Sequence, residues 1–351
     1  MTRERILTGE RLASDDEAGL QTLRPQRLEE FIGQKSLVER LRVSLEAARM
    51  RGEPMPHVLF HGPPGLGKTT LAQIIAAEMG TKLVMTSGPA LGRTADLMGF
   101  LTNLGPRDVF FIDEIHRLPP AVEEYIYPAM EDYRIDFVVD KGAFAKTINL
   151  KLNPFTLIGA TTRSGMLSNA LRERFGLTHH IDFYPPEEIE EILGRSARIH
   201  GLEVAGDAIR EMARCSRGTP RTANRLLAWV RDYAMTRGDG RVSRQTALLA
   251  LQMQGVDEQG LDEFDRKYLR TIIEYYEGGP AGIETIAATL NEQVDNLVDS
   301  VEPYLLKIGF VARTSRGRVV TETAYRHLGI ALPQSRRGDG KNNGQQPGLF
   351  Q

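Results

Sequence analysis

The chain has 351 residues, 41% of them hydrophobic, and a formal net charge of −2. That is length for two or three domains with real cores, and no global basic field to draw in a polyanion, so any nucleic-acid contact must come from a local patch. The single cysteine, Cys215, excludes an intrachain disulfide, and no run approaches the roughly 18 apolar residues of a membrane span.

Residues 1 to about 50 are charged and mixed, and they end in a helical pattern around Leu37, Leu41 and Leu45. No apolar segment follows the first residues, so the expectation is a cytoplasmic protein. The apolar run Val58, Leu59, Phe60 then leads into Gly62-Pro63-Pro64-Gly65-Leu66-Gly67-Lys68-Thr69, with Thr70 and a helical stretch Leu71 to Met79 behind it. This is the strand-loop-helix context of a phosphate-binding loop. Its glycines let backbone amides turn inward around phosphates, Lys68 reaches the outer two as a mobile charge, and the Thr69 hydroxyl can ligate Mg²⁺. ATP and Mg²⁺ are the expected ligands.

Leu83 to Thr86, Val109 to Ile112 and Phe155 to Ala160 read as buried parallel strands, which makes the region up to about Tyr184 an α/β domain. The second of these strands runs into Asp113-Glu114, placing two carboxylates where α/β sheets bind ligands: Asp113 for the metal and Glu114 to polarise the attacking water. Two alternating segments, one with Ile135, Phe137 and Val139 and the other with Ile148, Leu150 and Leu152, face each other across Asp140-Lys141-Gly142 as a hairpin. Its apolar face either packs inward or docks a partner. The strand ending at Ala160 passes into Thr161-Thr162-Arg163, where Thr162 is the candidate to position the water. Leu171-Arg172-Glu173-Arg174-Phe175 then offers two guanidinium groups that one subunit can present to another; Arg174 is the candidate finger, a device worth roughly 10³ to 10⁵ in turnover.

From Pro185 to about Gln254 the pattern is purely helical, with Cys215 in an amphipathic stretch that reads as a buried, inert thiol. Arg221 sits at a helix start, poised to touch the nucleotide. Beyond Gly255 come helical patterns at Phe264 to Tyr276, Ile283 to Leu290 and Val294 to Leu306. A hairpin follows around Ser315-Arg316-Gly317, and together these describe a winged helix. Residues 256 to 333 hold 13 Asp/Glu against 8 Lys/Arg, yet three of those bases fall within Arg313 to Arg318. Such focus suits a wing that touches a few phosphates through Arg313, Arg316 and Arg318. Gln334 to Gln351 read as a disordered tail ending in Gln346-Pro347-Gly348-Leu349-Phe350, similar to short peptides that enter a sliding-clamp groove.

These pieces in this order resemble the AAA+ ATPases, and within them the branch-migration motors that act on Holliday junctions; the resemblance spans about residues 20 to 330. It implies an AAA+ P-loop domain with a parallel sheet over 1–184, an all-α lid over 185–255, a winged-helix head over 256–333 and a tail over 334–351. Leu23 and Arg24 would flank the adenine and ribose, Glu131, Asp132 and Tyr133 would lie near the nucleotide, and Tyr184 would contact it at the domain junction. Arg174 would be the trans-acting finger and Arg221 the second sensor. The implied partners are DNA in four-way junctions, further copies in a hexameric ring, a RuvA-like junction-binding protein on the Ile148 and Leu150 hairpin, and indirectly a RuvC-like resolvase. The family's basic DNA-contact residue before the wing is replaced here by Val294. A clamp-loader-like assembly factor would use the same machinery, but the Ser315-Arg316-Gly317 hairpin and the absence of a Cys-rich module oppose it. A non-hydrolysing adaptor is opposed by Glu114 and Arg174.

Overall fold

The computed structural model describes residues 23–139 and 146–333. The chain divides into two compact units between Ala250 and Leu251.

Seven strands lie in the first unit: β1 Val58–His61, β2 Leu83–Ser87, β3 Val109–Asp113, β4 Arg134–Val139, β5 Lys146–Lys151, β6 Thr156–Thr161 and β7 Leu177–His180. Five form one parallel sheet in the order β2-β3-β6-β1-β7. The three apolar runs expected as strands are three of these five. The central ones are buried on both faces, β6 without exception, as a sheet covered by helices on each side requires. Strand β7 was not legible: Leu177-Thr178-His179-His180 is polar, and only His179 is buried in it.

The β4–β5 hairpin forms in the expected register, with Ile135 opposite Leu150 and Phe137 opposite Ile148. Its base packs inward, because Ile135 is 0% and Leu152 5% exposed, whereas Leu150 is 37% exposed. The Ile148 side chain, the Asp140-Lys141-Gly142 turn and the tail from residue 334 lie outside the described residues. After Tyr184 come four helices, Pro186–Ile199, Gly206–Cys215, Pro220–Arg237 and Arg244–Met253. Cys215 is buried, as its amphipathic setting implied.

In the second unit, helices Glu263–Tyr275 and Ile283–Leu290 pack with a hairpin of β8 Val311–Thr314 and β9 Gly317–Val320. The two-residue turn Ser315-Arg316 joins them, and Ala281 bridges to Arg318 as a third, minimal strand. A last helix, Glu322–His327, closes the unit. The stretch expected as one helix from Val294 to Leu306 is broken by a π turn at Leu297–Val301 before helix Glu302–Lys307 resumes. Pro303 explains the break: it has no N–H to return to the carbonyl four residues back, so the preceding turn widens. Val294 is half-buried against this unit's core.

Candidate active site

A cavity of about 250 Å³ opens at the C-terminal ends of the central strands. Leu23, Pro25, Phe31 and Ile32 give it an apolar wall on one side, and the loop Pro64 to Thr70 forms its floor. Asp113, Glu114 and Thr162 stand at its far end, and Tyr184, Ile192, Arg195, Pro220, Arg221 and Asn224 close it from the lid. An apolar pocket leading to a ring of backbone amides and then to carboxylates suits a flat base, a sugar and a chain of phosphates.

The loop is shaped by backbone no other residue type tolerates. Gly62 has φ +143, and a Cβ there would stand 2.1 Å from the carbonyl oxygen of Ile181. Gly67 has φ +104 as the N-cap of helix Lys68–Met79, and its missing Cβ is what leaves the Phe31 ring room at 3.3 Å. The first-turn amides of that helix point into the cavity with the positive end of the helix dipole. Lys68 is nearly buried, and its Nζ donates to the carbonyls of Gly62 and Pro63, both at 2.8 Å.

Two contacts tie the lid to this loop. The Tyr184 hydroxyl donates to the Leu66 carbonyl at 3.1 Å, and the Arg221 amide lies 3.4 Å from the Gly65 carbonyl. Burial, and then the charge of Glu188, pushes the Tyr184 phenol well above its usual range, so it remains a donor at every working pH. Arg195, which sequence reasoning missed, donates to the Leu23 carbonyl at 2.6 Å and holds the segment beginning at Leu23 against the lid. No local motif marks it; only the packing of helix Pro186–Ile199 brings it there.

At the far end, Thr161 is fully buried, its hydroxyl occupied by His116 and by the Arg163 amide. That leaves Thr162 as the hydroxyl facing the cleft. Glu114 has φ +47, a left-handed turn that lifts it off the strand end, and its carboxylate is paired with Arg117 at 3.0 Å. Thr69 and Asp113 both line the cleft, and a hydroxyl beside a carboxylate is the hard oxygen set that Mg²⁺ takes. Both groups therefore fit.

Glu131, Asp132 and Tyr133 do not line this cleft. Glu131 pairs with Arg174 at 3.1 Å, Asp132 with Arg134, and the Tyr133 ring packs edge-on against Phe155. Arg174 is likewise outside the chain's own cavity. In the wing, Arg313 and Arg318 are both bonded to the buried carboxylate of Glu302. Arg316 projects from the turn with an exposed side chain, and Arg313, although bonded to Glu302, keeps a side chain 48% exposed.

A parallel sheet with the phosphate loop after β1, an acidic pair after β3 two places away, and a helical lid over the cleft defines a P-loop ATPase of the AAA+ class. Residues 23–181 match the family model described as the Holliday junction DNA helicase RuvB P-loop domain, 184–257 the RuvB AAA lid domain and 258–329 the RuvB C-terminal winged helix domain. A Holliday junction branch migration complex subunit RuvB from Paracoccus denitrificans is 52% identical over 94% of this chain and 96% of its own. That of Desulfosudis oleivorans is 56% identical over 88% and 90%. The solved structure of the Thermotoga maritima RuvB Holliday junction branch migration motor superposes with a TM-score of 0.82 at 49% identity, covering 89% of this chain and all of the other. The chain belongs to the RuvB family. Among the described residues, no helix is long and apolar enough to cross a membrane.

Proposed function

We propose that the chain is an ATP-driven motor that moves duplex DNA to drive branch migration of Holliday junctions in recombination and repair. It would act in the cytoplasm as a homo-hexameric ring on a RuvA-like junction-binding protein, with a RuvC-like resolvase meeting it indirectly. The observation that carries this reading is the position of Arg174. The cleft is lined by the phosphate loop, Asp113, Glu114, Thr162 and the lid residues Tyr184 and Arg221, while Arg174 lies outside that lining and pairs with Glu131. An arginine held outside its own chain's cleft suits hydrolysis between copies, in which one copy lends it to the next.

In this reading Leu23 and Arg24 flank the base and ribose, Lys68 holds the outer phosphates, and Thr69 and Asp113 hold Mg²⁺. When bound there, the ion would supply positive charge against the phosphates. Glu114 leaves Arg117 to orient the water, and Thr162 fixes it from the opposite side. Arg221 and Tyr184 connect the loop to the lid, so a change at the phosphates becomes a change in lid angle. Glu131, Asp132 and Tyr133, lying beside Arg174, would approach the nucleotide of the next copy. On DNA, Arg316 contacts phosphate while Arg313 and Arg318 shape the wing. The tail peptide Gln346 to Phe350 is a candidate for a sliding clamp, tested by loss of clamp binding when residues 345 to 351 are removed.

Phosphate release measured with four-way DNA, linear duplex and no DNA, each with and without the junction-binding partner, tests the function. Stimulation greatest with four-way DNA and partner together supports it, and a rate indifferent to both contradicts it.

A further inference from the structure

Helix Pro120–Glu131 places Glu123, Tyr127 and Glu131 four residues apart, so the three lie along one face. That face holds the whole segment bearing Arg174. Glu123 accepts hydrogen bonds from both the Ser168 and the Tyr127 hydroxyls, and Ser168 is the N-cap of helix Asn169–Glu173, accepting from the Leu171 amide at 3.0 Å. The Arg174 guanidinium carbon lies 4.2 Å from the centre of the Tyr127 ring. One Nη donates to the Ala170 carbonyl at 2.6 Å, the other reaches Glu131 at 3.1 Å, and the buried Nε has no hydrogen-bond partner.

These contacts differ in kind. Glu131 is 54% exposed, so its ion pair is weak and exchanges readily with solvent or with another anion. The Tyr127 ring is half-buried and its hydroxyl is anchored to Glu123 beside the N-cap, so the ring cannot swing aside. A planar cation stacked on an anchored ring, with one idle donor and one exchangeable partner, is free to give up the carboxylate while keeping its plane.

We propose that Glu123, Tyr127 and Glu131 form a cradle for the finger, in which Tyr127 is a positioning residue. It sets the plane of the Arg174 guanidinium for the γ-phosphate of ATP bound by a neighbouring copy, and Glu131 is the anion displaced when that phosphate arrives. The inference rests on the reading that Arg174 acts in trans. The sequence shows the same stripe as Glu-x₃-Tyr-x₃-Glu at helical spacing, but only the fold shows that it faces Arg174.

The test is phosphate release on four-way DNA by full-length Tyr127→Leu, Tyr127→Phe and Arg174→Ala, alone and in equimolar mixtures, with affinity for a fluorescent ATP analogue measured alongside. Tyr127→Leu is expected to lose roughly tenfold in kcat, the scale of a partly desolvated cation–π contact, with analogue affinity within about twofold of wild type. Tyr127→Phe keeps the π face but loses the anchor to Glu123, so its rate should fall between those of wild type and Tyr127→Leu. The defect lies in what a subunit lends, so mixing Tyr127→Leu with Lys68→Ala, an intact lender that cannot use ATP, should raise the rate. Mixing it with Arg174→Ala should not. A Tyr127→Leu protein that hydrolyses normally, or that Lys68→Ala fails to rescue, overturns the cradle; full activity of Arg174→Ala would instead overturn the trans reading itself. If Tyr127→Leu is insoluble, Tyr127→Met also removes the π face and carries the same test.

Discussion

Arg318 donates to both oxygens of Glu302, at 2.7 and 3.3 Å, and Glu302 is fully buried. Arg313 and the Tyr268 hydroxyl complete the shell around that carboxylate. Burial opposes its charge, yet the hydrogen bonds from Arg318, Tyr268 and Arg313 together hold the carboxyl below the usual carboxylate range. The wing is thus pinned to helix Glu302–Lys307 through the buried Glu302 carboxylate, and its tip at Ser315-Arg316 is a separate feature.

Arg318→Ala leaves a buried carboxylate one partner short. Such losses cost about 3 to 5 kcal/mol when a pair is broken outright, so with Arg313 and Tyr268 still in place the expected loss is about 2 to 3 kcal/mol. Chemical denaturation of the second unit's transition measures it. Arg316→Ala should leave that transition unmoved and flatten the salt dependence of DNA binding by roughly one unit. If both variants shifted only the salt slope, the buried cluster would have no structural role.

The hairpin of β4 and β5 separates two roles along one face. Leu150→Asp, at an exposed position, should abolish stimulation by the junction-binding partner while basal phosphate release stays as in wild type. Ile135→Asp, directly opposite but fully buried, should cost about 3 kcal/mol or more through an unpaired buried charge. Loss of basal activity with Leu150→Asp would move that residue into the core.

His179 stacks on Phe60 with ring centroids 6.1 Å apart, and neither of its ring nitrogens finds a hydrogen-bond partner. Burial, with the charges of Arg40 and His61, lowers its pKa from 6.5 to about 4. The neutral form is the folded form, so its contribution to stability is full above pH 6.5 and is lost as the pH falls through that value toward 4. Thermal midpoints measured between pH 7.5 and 4.5 should fall, and His179→Phe should flatten that fall. An identical slope in the variant would remove His179 as its cause.

Gly67→Ala tests the loop without touching a charge. A Cβ at φ +104 strains the backbone and presses on Phe31, so nucleotide affinity should drop by at least tenfold, roughly 1.4 kcal/mol. Equilibrium binding of ATP to the variant, with its fold checked by circular dichroism, provides the comparison.

What the residues disclosed in advance follows from how local each signal is. Gly62 to Thr69, Asp113 and Glu114 form contiguous motifs at strand ends, and the structure brings them into one cleft with Thr162, Tyr184 and Arg221. Arg195 and Asn224 belong to the same cleft but carry no motif, because only the fold of the lid aims them. Arg318 and Arg313 read as phosphate contacts because the sequence shows a dense basic hairpin; it does not show that Glu302, on a helix interrupted by Pro303, turns inward beneath them. Strand β7 escaped notice because a polar strand paired along the rim of a sheet needs no apolar run.

The central claim is that each active site is shared, one copy binding ATP and another lending Arg174. Phosphate release from Lys68→Ala and Arg174→Ala, each alone and then mixed in equal amounts on four-way DNA, tests it most directly. Each variant alone should be nearly inactive, and the mixture should recover a clear fraction of the wild-type rate through sites built from an intact phosphate loop and an intact finger. A mixture no more active than its parts, or an Arg174→Ala protein that hydrolyses ATP at full rate by itself, would contradict the account.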